Sequence, residues 1–258
     1  MTEDYSGDPG VTHNYTSQIE LARETQRWGF GDAVAGILAA FLLSNIFGAI
    51  IMAIAGWKTS SDIPIWGFGV VQIPLWAGYL AVVVLAGLKG PGFREAFGLA
   101  ARQWDPMVGL IVGILCQLVL LPVLYMPILK VLGTDSDELS KPARELARGA
   151  HGISSWLLFA VLVGLVAPVV EEVFFRGLLL RSLSKRGLQP WAAVLLSSLI
   201  FAALHVQLLQ LIGLFAFGLV LAALTVITGR LGPAIFAHIG FNMTTVVVLY
   251  LNYRSGIR

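Results

Sequence analysis

Two neighbouring carboxylates stand where carboxylates are costly. Glu171 and Glu172 lie in Leu162–Leu180, a run that is otherwise apolar except for Arg176. Of the fifteen acidic residues, these two alone sit deep within such a run. A charge at the centre of a bilayer costs ~2.5–3.5 kcal/mol on insertion scales, so each needs a partner or a function. Successive residues on a helix diverge by about 100°, which predicts different surroundings for the two. Glu172 has a partner in Arg176, four residues on, in the favourable order of acid before base. That pair reads as a buried brace, with a grip on a substrate backbone as the other reading. Glu171 has only Ala167, Pro168, Phe174 and Phe175 at helical spacing. Its partner must come from another helix, and a carboxylate stripped of water is suited to general-base work. A purely structural hydrogen bond between helices is the alternative.

The histidines divide in the same way. His13 lies in a polar N-terminal stretch and His151 at the edge of an apolar run, and both read as surface residues. His205 and His238 lie inside apolar runs, where a histidine alone can be no more than hydrogen-bonding glue between helices. Asn242 follows His238 by four residues, so the two share a helical face. At 1.5 Å per residue, Glu171 lies ~20 Å in from Ser184–Lys185 and His205 ~22 Å in from Pro190. Counted from Gly232, His238 and Asn242 are shallower, at ~9 and ~15 Å. Three separate helices thus offer polar groups to one centre, with His238 out of step in depth.

Those helices must be transmembrane. The chain has 258 residues, 57% hydrophobic and 12% charged, against about 25% charged in soluble domains. Seven apolar runs approach the ~20 residues needed to cross ~30 Å of hydrocarbon. They are 31–56, 64–88, 106–130, 152–180, 190–209, 211–229 and 232–251. The expectation is an all-α, polytopic transmembrane bundle of about seven spans, with three parts: a polar arm (1–27), N-terminal helices (28–150) and a catalytic region (151–258). The arm has no secretion-type apolar core and reads as a mobile cytoplasmic segment, or as a surface helix toward Glu20–Arg27. Lys and Arg placement puts the N-terminus inside by a narrow margin, with Lys141, Arg144 and Arg148 on the disfavoured side. Their loop, 131–150, patterns as an amphipathic helix lying on the membrane, and an eighth span results if it re-enters. The single cysteine, Cys116, excludes an intrachain disulfide and reads as packing. A net charge of +2 without a basic cluster argues against nucleic acid as a partner.

The pattern resembles a known family. Glu171-Glu172-Val173-Phe174-Phe175-Arg176 is similar to the EExxxR motif of the CAAX protease and bacteriocin-processing (Abi) membrane endopeptidases. Phe201-Ala202-Ala203-Leu204-His205 resembles their FxxxH motif, and His238-Ile239-Gly240-Phe241-Asn242 their HxxxN motif, in the family's order. Ala167-Pro168 resembles the small-residue–proline lead-in before the glutamates. The resemblance covers roughly 155–250. It implies a cofactor-independent endopeptidase of the cell membrane, bathed in lipid and cutting peptide or protein substrates, without naming them. On the matching positions, Glu171 would activate a water that His205 helps to hold. His238 and Asn242 would donate to the oxyanion, and Glu172 and Arg176 would brace the helix or orient substrate. Two rivals stand beside it. Glu171, His205 and His238 suit zinc as ligands, although no HExxH motif is present. A transporter, scaffold or immunity protein would need no catalysis at all. Ser197 and Ser198 share a run with His205 but have no nucleophile motif around them.

Overall fold

The computed structural model describes residues 15–59, 62–90 and 92–256. Ten helices follow one another in these segments, and no strand is found among the described residues. They are α1 (Tyr15–Thr25), α2 (Phe30–Ala55), α3 (Ile65–Gly87), α4 (Phe93–Phe97), α5 (Asp105–Leu132), α6 (Ser136–Ala147), α7 (Gly152–Lys185), α8 (Pro190–Leu204), α9 (Leu211–Thr228) and α10 (Gly232–Arg254). Six of them, α2, α3, α5, α7, α9 and α10, are long and apolar enough to cross a bilayer. The chain is a multi-pass, all-α membrane protein.

The remaining apolar run is shorter than its sequence suggests. The run 190–209 forms a helix only over Pro190–Leu204, 15 residues, or ~22 Å. That is less than the ~30 Å of a hydrocarbon core. The backbone N–H groups of His205 and Val206 turn back to Ala202 and Ala203, and Val206 takes φ +53. A β-branched residue is strained there, and no regular helix continues through it. The helix therefore ends at His205, and α9 returns antiparallel beside it.

Two further expectations change. The N-terminal helix covers Tyr15–Thr25 rather than Glu20–Arg27, and it is docked on the protein with Tyr15, Ile19 and Ala22 buried. Residues 1–14, with His13, lie outside the described residues. The segment 131–150 does contain an amphipathic helix, α6, but it is polar rather than span-like. Its Ala143, Leu146 and Ala147 pack on Ile65, Trp156, Phe159, Val246 and Leu249. Its apolar face is thus covered by protein and not left for lipid, and no eighth span arises there.

The helix carrying the glutamates runs through the centre. α7 spans 34 residues, about 50 Å, and Phe174–Ser184 are buried without interruption. Its lower end is sheathed by α1. Arg23 donates to the carbonyls of Ser184 and Lys185, the Tyr15 hydroxyl meets Ser184 Oγ at 3.0 Å, and Arg181 donates to Gln18 Oε1 and to the Gly229 carbonyl. Tyr15 is held neutral to higher pH than usual, because burial disfavours the phenolate.

Glycines set the position of α10. A Cβ on Gly109 of α5 would lie 2.6 Å from Phe236 Cβ and 2.7 Å from the Pro233 carbonyl oxygen. One on Gly113 would collide with the Ala237 carbonyl, and one on Gly240 of α10 would lie 2.7 Å from the Leu110 carbonyl oxygen. Gly109 and Gly113 form a GxxxG stripe, which lets two membrane helices approach backbone to backbone. At the head of α10, Arg230 grips Asp105 through two bonds of 2.7 Å, and the N–H groups of Leu231 and Gly232 donate to Gly98 and Ala100. The first turn of α10 is consequently buried in protein.

Candidate active site

The glutamate segment is unusual before any partner is added. α7 widens into π-helical winding over Ala160–Val166 and again over Val173–Leu180, flanking a short α-helical piece that ends at Glu172. Such winding is rare and concentrates at functional sites. In the first stretch the Ala167 N–H reaches back five residues to the Leu162 carbonyl. The same step from Pro168 would serve Val163, but proline has no N–H to give. Asn242 supplies the missing donor from α10, its Nδ2 lying 2.8 Å from the Val163 carbonyl oxygen. Pro168 and Asn242 therefore act together to lock α10 to the glutamate helix.

Three of the side chains singled out in the sequence converge. Glu171 Oε2 lies 4.0 Å from His205 Nε2 and 3.9 Å from His238 Nε2. These gaps exceed a direct hydrogen bond, and a water-sized oxygen can bridge them. The Glu171 and His205 side chains remain 20% and 29% exposed, so this end of the cluster is not sealed by protein. His238 is nearly closed off at 5%. Although His238 is shallow when counted from Gly232, it reaches Glu171, and the turn at Gly232 is enclosed by Gly98–Ala100 and Asp105.

Glu172 faces a dry region. Its side chain is fully buried and Arg176 is 1% exposed, with Arg176 Nη1 donating to Glu172 Oε1 at 2.9 Å. Arg176 Nη2 also donates to the Gly218 carbonyl at 3.2 Å, and its guanidinium lies 4.4 Å over the Phe201 ring. Sequence spacing anticipated this ion pair. It did not anticipate that Glu172 Oε1 also meets His238 Nδ1 at 2.8 Å. The two glutamates diverge, yet they meet opposite nitrogens of one imidazole.

Each histidine is fixed by a different acceptor. His205 Nδ1 lies 2.8 Å from the Phe201 carbonyl, four residues back. A carbonyl can only accept, so Nδ1 carries a proton, and Nε2 is the nitrogen turned toward Glu171. Phe201 thus holds His205 with its backbone and touches it, His238 and Arg176 with its ring. Its ring ends an aromatic chain from Tyr79 of α3 through Phe174 and Phe175, with Tyr79 stacked on Phe174 at 4.3 Å. Sequence reading missed Tyr79, Gly218 and Val163. The last two act through backbone carbonyls, which leave no trace in residue type. The hydroxyls of Ser197 and Ser198 both donate to the Val194 carbonyl.

Residues 153–244 match the Rce1-like family. Its description is type II CAAX prenyl endopeptidase Rce1-like, and the matched segment contains Glu171, Glu172, Arg176, His205, His238 and Asn242. A curated relative, "Putative membrane peptidase YdiL" of Bacillus subtilis (strain 168), is 34% identical over 94 residues. That similarity covers 36% of this chain and 38% of the relative, so the chain spans under two fifths of that protein's length. No solved structure matches the chain. The family match and the three-motif resemblance fall on the same segment.

Proposed function

We propose that this protein is an intramembrane endopeptidase in which Glu171 activates the hydrolytic water, acting on peptide or protein substrates at the cell membrane. The observation that carries this reading is the convergence of two imidazole Nε2 atoms on Glu171 Oε2, at 3.9 and 4.0 Å, at the partly exposed end of the cluster. A water between Glu171 and His205 donates one hydrogen to the carboxylate and the other to the Nε2 lone pair. Its own lone pair is then free to attack a peptide carbonyl carbon. As the C–O bond forms, the water's proton passes to Glu171, and the carbonyl oxygen becomes an oxyanion. His238 and the second N–H of Asn242 donate to that oxyanion, a contribution of ~3–4 kcal/mol per donor in comparable sites. The tetrahedral species collapses when the C–N bond breaks and Glu171 returns the proton to the leaving nitrogen.

Zinc is the rival with a specific observation behind it, since both Nδ1 atoms are held by acceptors as in metal-bound histidines. Ligand atoms ~2.0–2.1 Å from a tetrahedral zinc would lie about 3.3 Å apart. The 3.9 and 4.0 Å separations are wider, and no metal-sized group of three ligands forms among the described residues. The water mechanism fits the spacing as it stands.

Comparative proteomics of membranes carrying wild type or Glu171→Ala tests the reading. Membrane-anchored or lipidated polypeptides should accumulate uncut in the variant, and their missing termini define the scissile bond. Indistinguishable terminal maps would overturn it.

A further inference from the structure

The turn that follows His205 has little support of its own. α8 stops at that residue, and helix ends fray unless groups from outside take up their unpaired donors and acceptors. Val206 and Leu208 are largely exposed, so apolar packing does not pin the turn. α9 then starts at Leu211 without a side-chain cap, and the Gln210 amide instead donates to the Leu139 carbonyl of α6.

A tyrosine from the N-terminal helices closes this gap. Tyr125 of α5 is 2% exposed, and its hydroxyl donates to the Leu209 carbonyl and accepts from the Gly213 N–H, both at 2.8 Å. Gly213 is the third residue of α9, where a backbone N–H has no partner within the helix. A hydroxyl can give one hydrogen and receive another, so one atom serves both groups. Gly213 is fitted to it, since a Cβ there would lie 2.7 Å from Tyr125 Cε2 and 2.9 Å from the hydroxyl oxygen. The same helix sets α10, and with it His238, through Gly109 and Gly113. α5 therefore touches both elements that bring a histidine to Glu171.

We propose that Tyr125 is a positioning residue for His205. By holding Leu209 and Gly213 together it fixes the end of α8, and so the 4.0 Å gap between His205 Nε2 and Glu171 Oε2. Phe201 sets the rotation of the His205 ring on α8, and Tyr125 sets where the last turn of α8 sits. Tyr125 lies outside residues 153–244, so the family match does not carry this role. Its effect on turnover rests on the endopeptidase reading, and its effect on the position of His205 does not.

Tyr125→Phe keeps the ring and removes both hydrogen bonds. The test uses the detergent-solubilised full chain with 13C-labelled histidine, the ring signals assigned through His205→Asn and His238→Asn. In Tyr125→Phe the His205 signals should shift or broaden while those of His238 stay in place. Amide hydrogen exchange over 206–213 should rise about tenfold, the worth of one hydrogen bond, with Phe174–Ser184 unchanged. On a membrane-anchored peptide, kcat should fall about 10- to 100-fold, as for a reacting group misplaced by about 1 Å, with KM within about twofold. Gly213→Ala pushes the same ring aside and should reproduce all three effects, and it decides the matter if Tyr125→Phe does not fold. His205 signals that stay in place, or that move together with those of His238, overturn the proposal. So does a wild-type kcat beside a loosened turn. Failure of the endopeptidase reading would appear separately, as turnover retained in Glu171→Gln, and the ring signals would still decide the role of Tyr125.

Discussion

Glu171 and Glu172 are neighbours in sequence, yet their surroundings differ. Glu171 is partly exposed, with two imidazoles about 4 Å away. Glu172 is sealed from solvent and closed on by a guanidinium and an imidazole at 2.9 and 2.8 Å. The first arrangement leaves room for a reacting molecule. The second leaves none. One helix thus carries a partly exposed carboxylate beside a sealed ion pair, and both face the same His238 ring.

The sharpest way to break the comparison is to strand a charge on the dry side. Removing one member of a buried pair costs ~3–5 kcal/mol. Glu172→Ala and Arg176→Ala should each lower the detergent melting temperature, and the double variant should recover part of the loss. Simple additivity of the two would deny the pairing. Glu171→Ala, by contrast, should melt at or above wild type, because it relieves a carboxylate of its desolvation.

A second intervention leaves every polar group intact and moves α10. Gly113→Leu forces a side chain into the Ala237 backbone, so α10 must shift and take His238 and Asn242 with it. The cost of overpacking is typically ~1–3 kcal/mol, with turnover lost more completely than stability. Equal turnover in Gly113→Leu would show that the α5–α10 seam does not position the site.

Asn242→Ala should have a smaller effect on folding. It uncovers the part-buried Val163 carbonyl, a loss of up to ~1–3 kcal/mol for an unsatisfied acceptor, and on the proposed mechanism it also removes one oxyanion donor. Melting curves together with kcat separate these two parts. Exhaustive chelation should have the smallest effect of all, leaving turnover unchanged. Activity lost on chelation and restored by zinc alone would favour the metal-centre reading.

Much of this was legible in the sequence, for physical reasons that also mark the limit. A carboxylate in an apolar run is conspicuous, so Glu171, Glu172 and the Arg176 partner at helical spacing could be named from residue types alone. His205, His238 and Asn242 followed by the same logic. What residue types could not reveal was the pairing of His238 with Glu172, because contacts between helices depend on depth and rotation. Depth counted along the sequence set His238 apart from Glu171, yet the fold brings the two within 3.9 Å, with Asp105 and Arg230 closing the protein over the start of α10. The shortened α8 was hidden too, since Val206 and Leu208 continue the apolar pattern through a turn. The lock between Asn242 and Val163 was half visible: Pro168 announced a freed carbonyl, but not the side chain that would find it.

The central claim is that Glu171, and not its neighbour, handles the water. Turnover of a membrane-anchored peptide substrate by purified Glu171→Gln tests it most directly, because the amide keeps the shape of the acid and cannot take the proton. The account predicts a correctly folded protein with a wild-type melting temperature and no detectable cleavage. Retained turnover in that variant would contradict it.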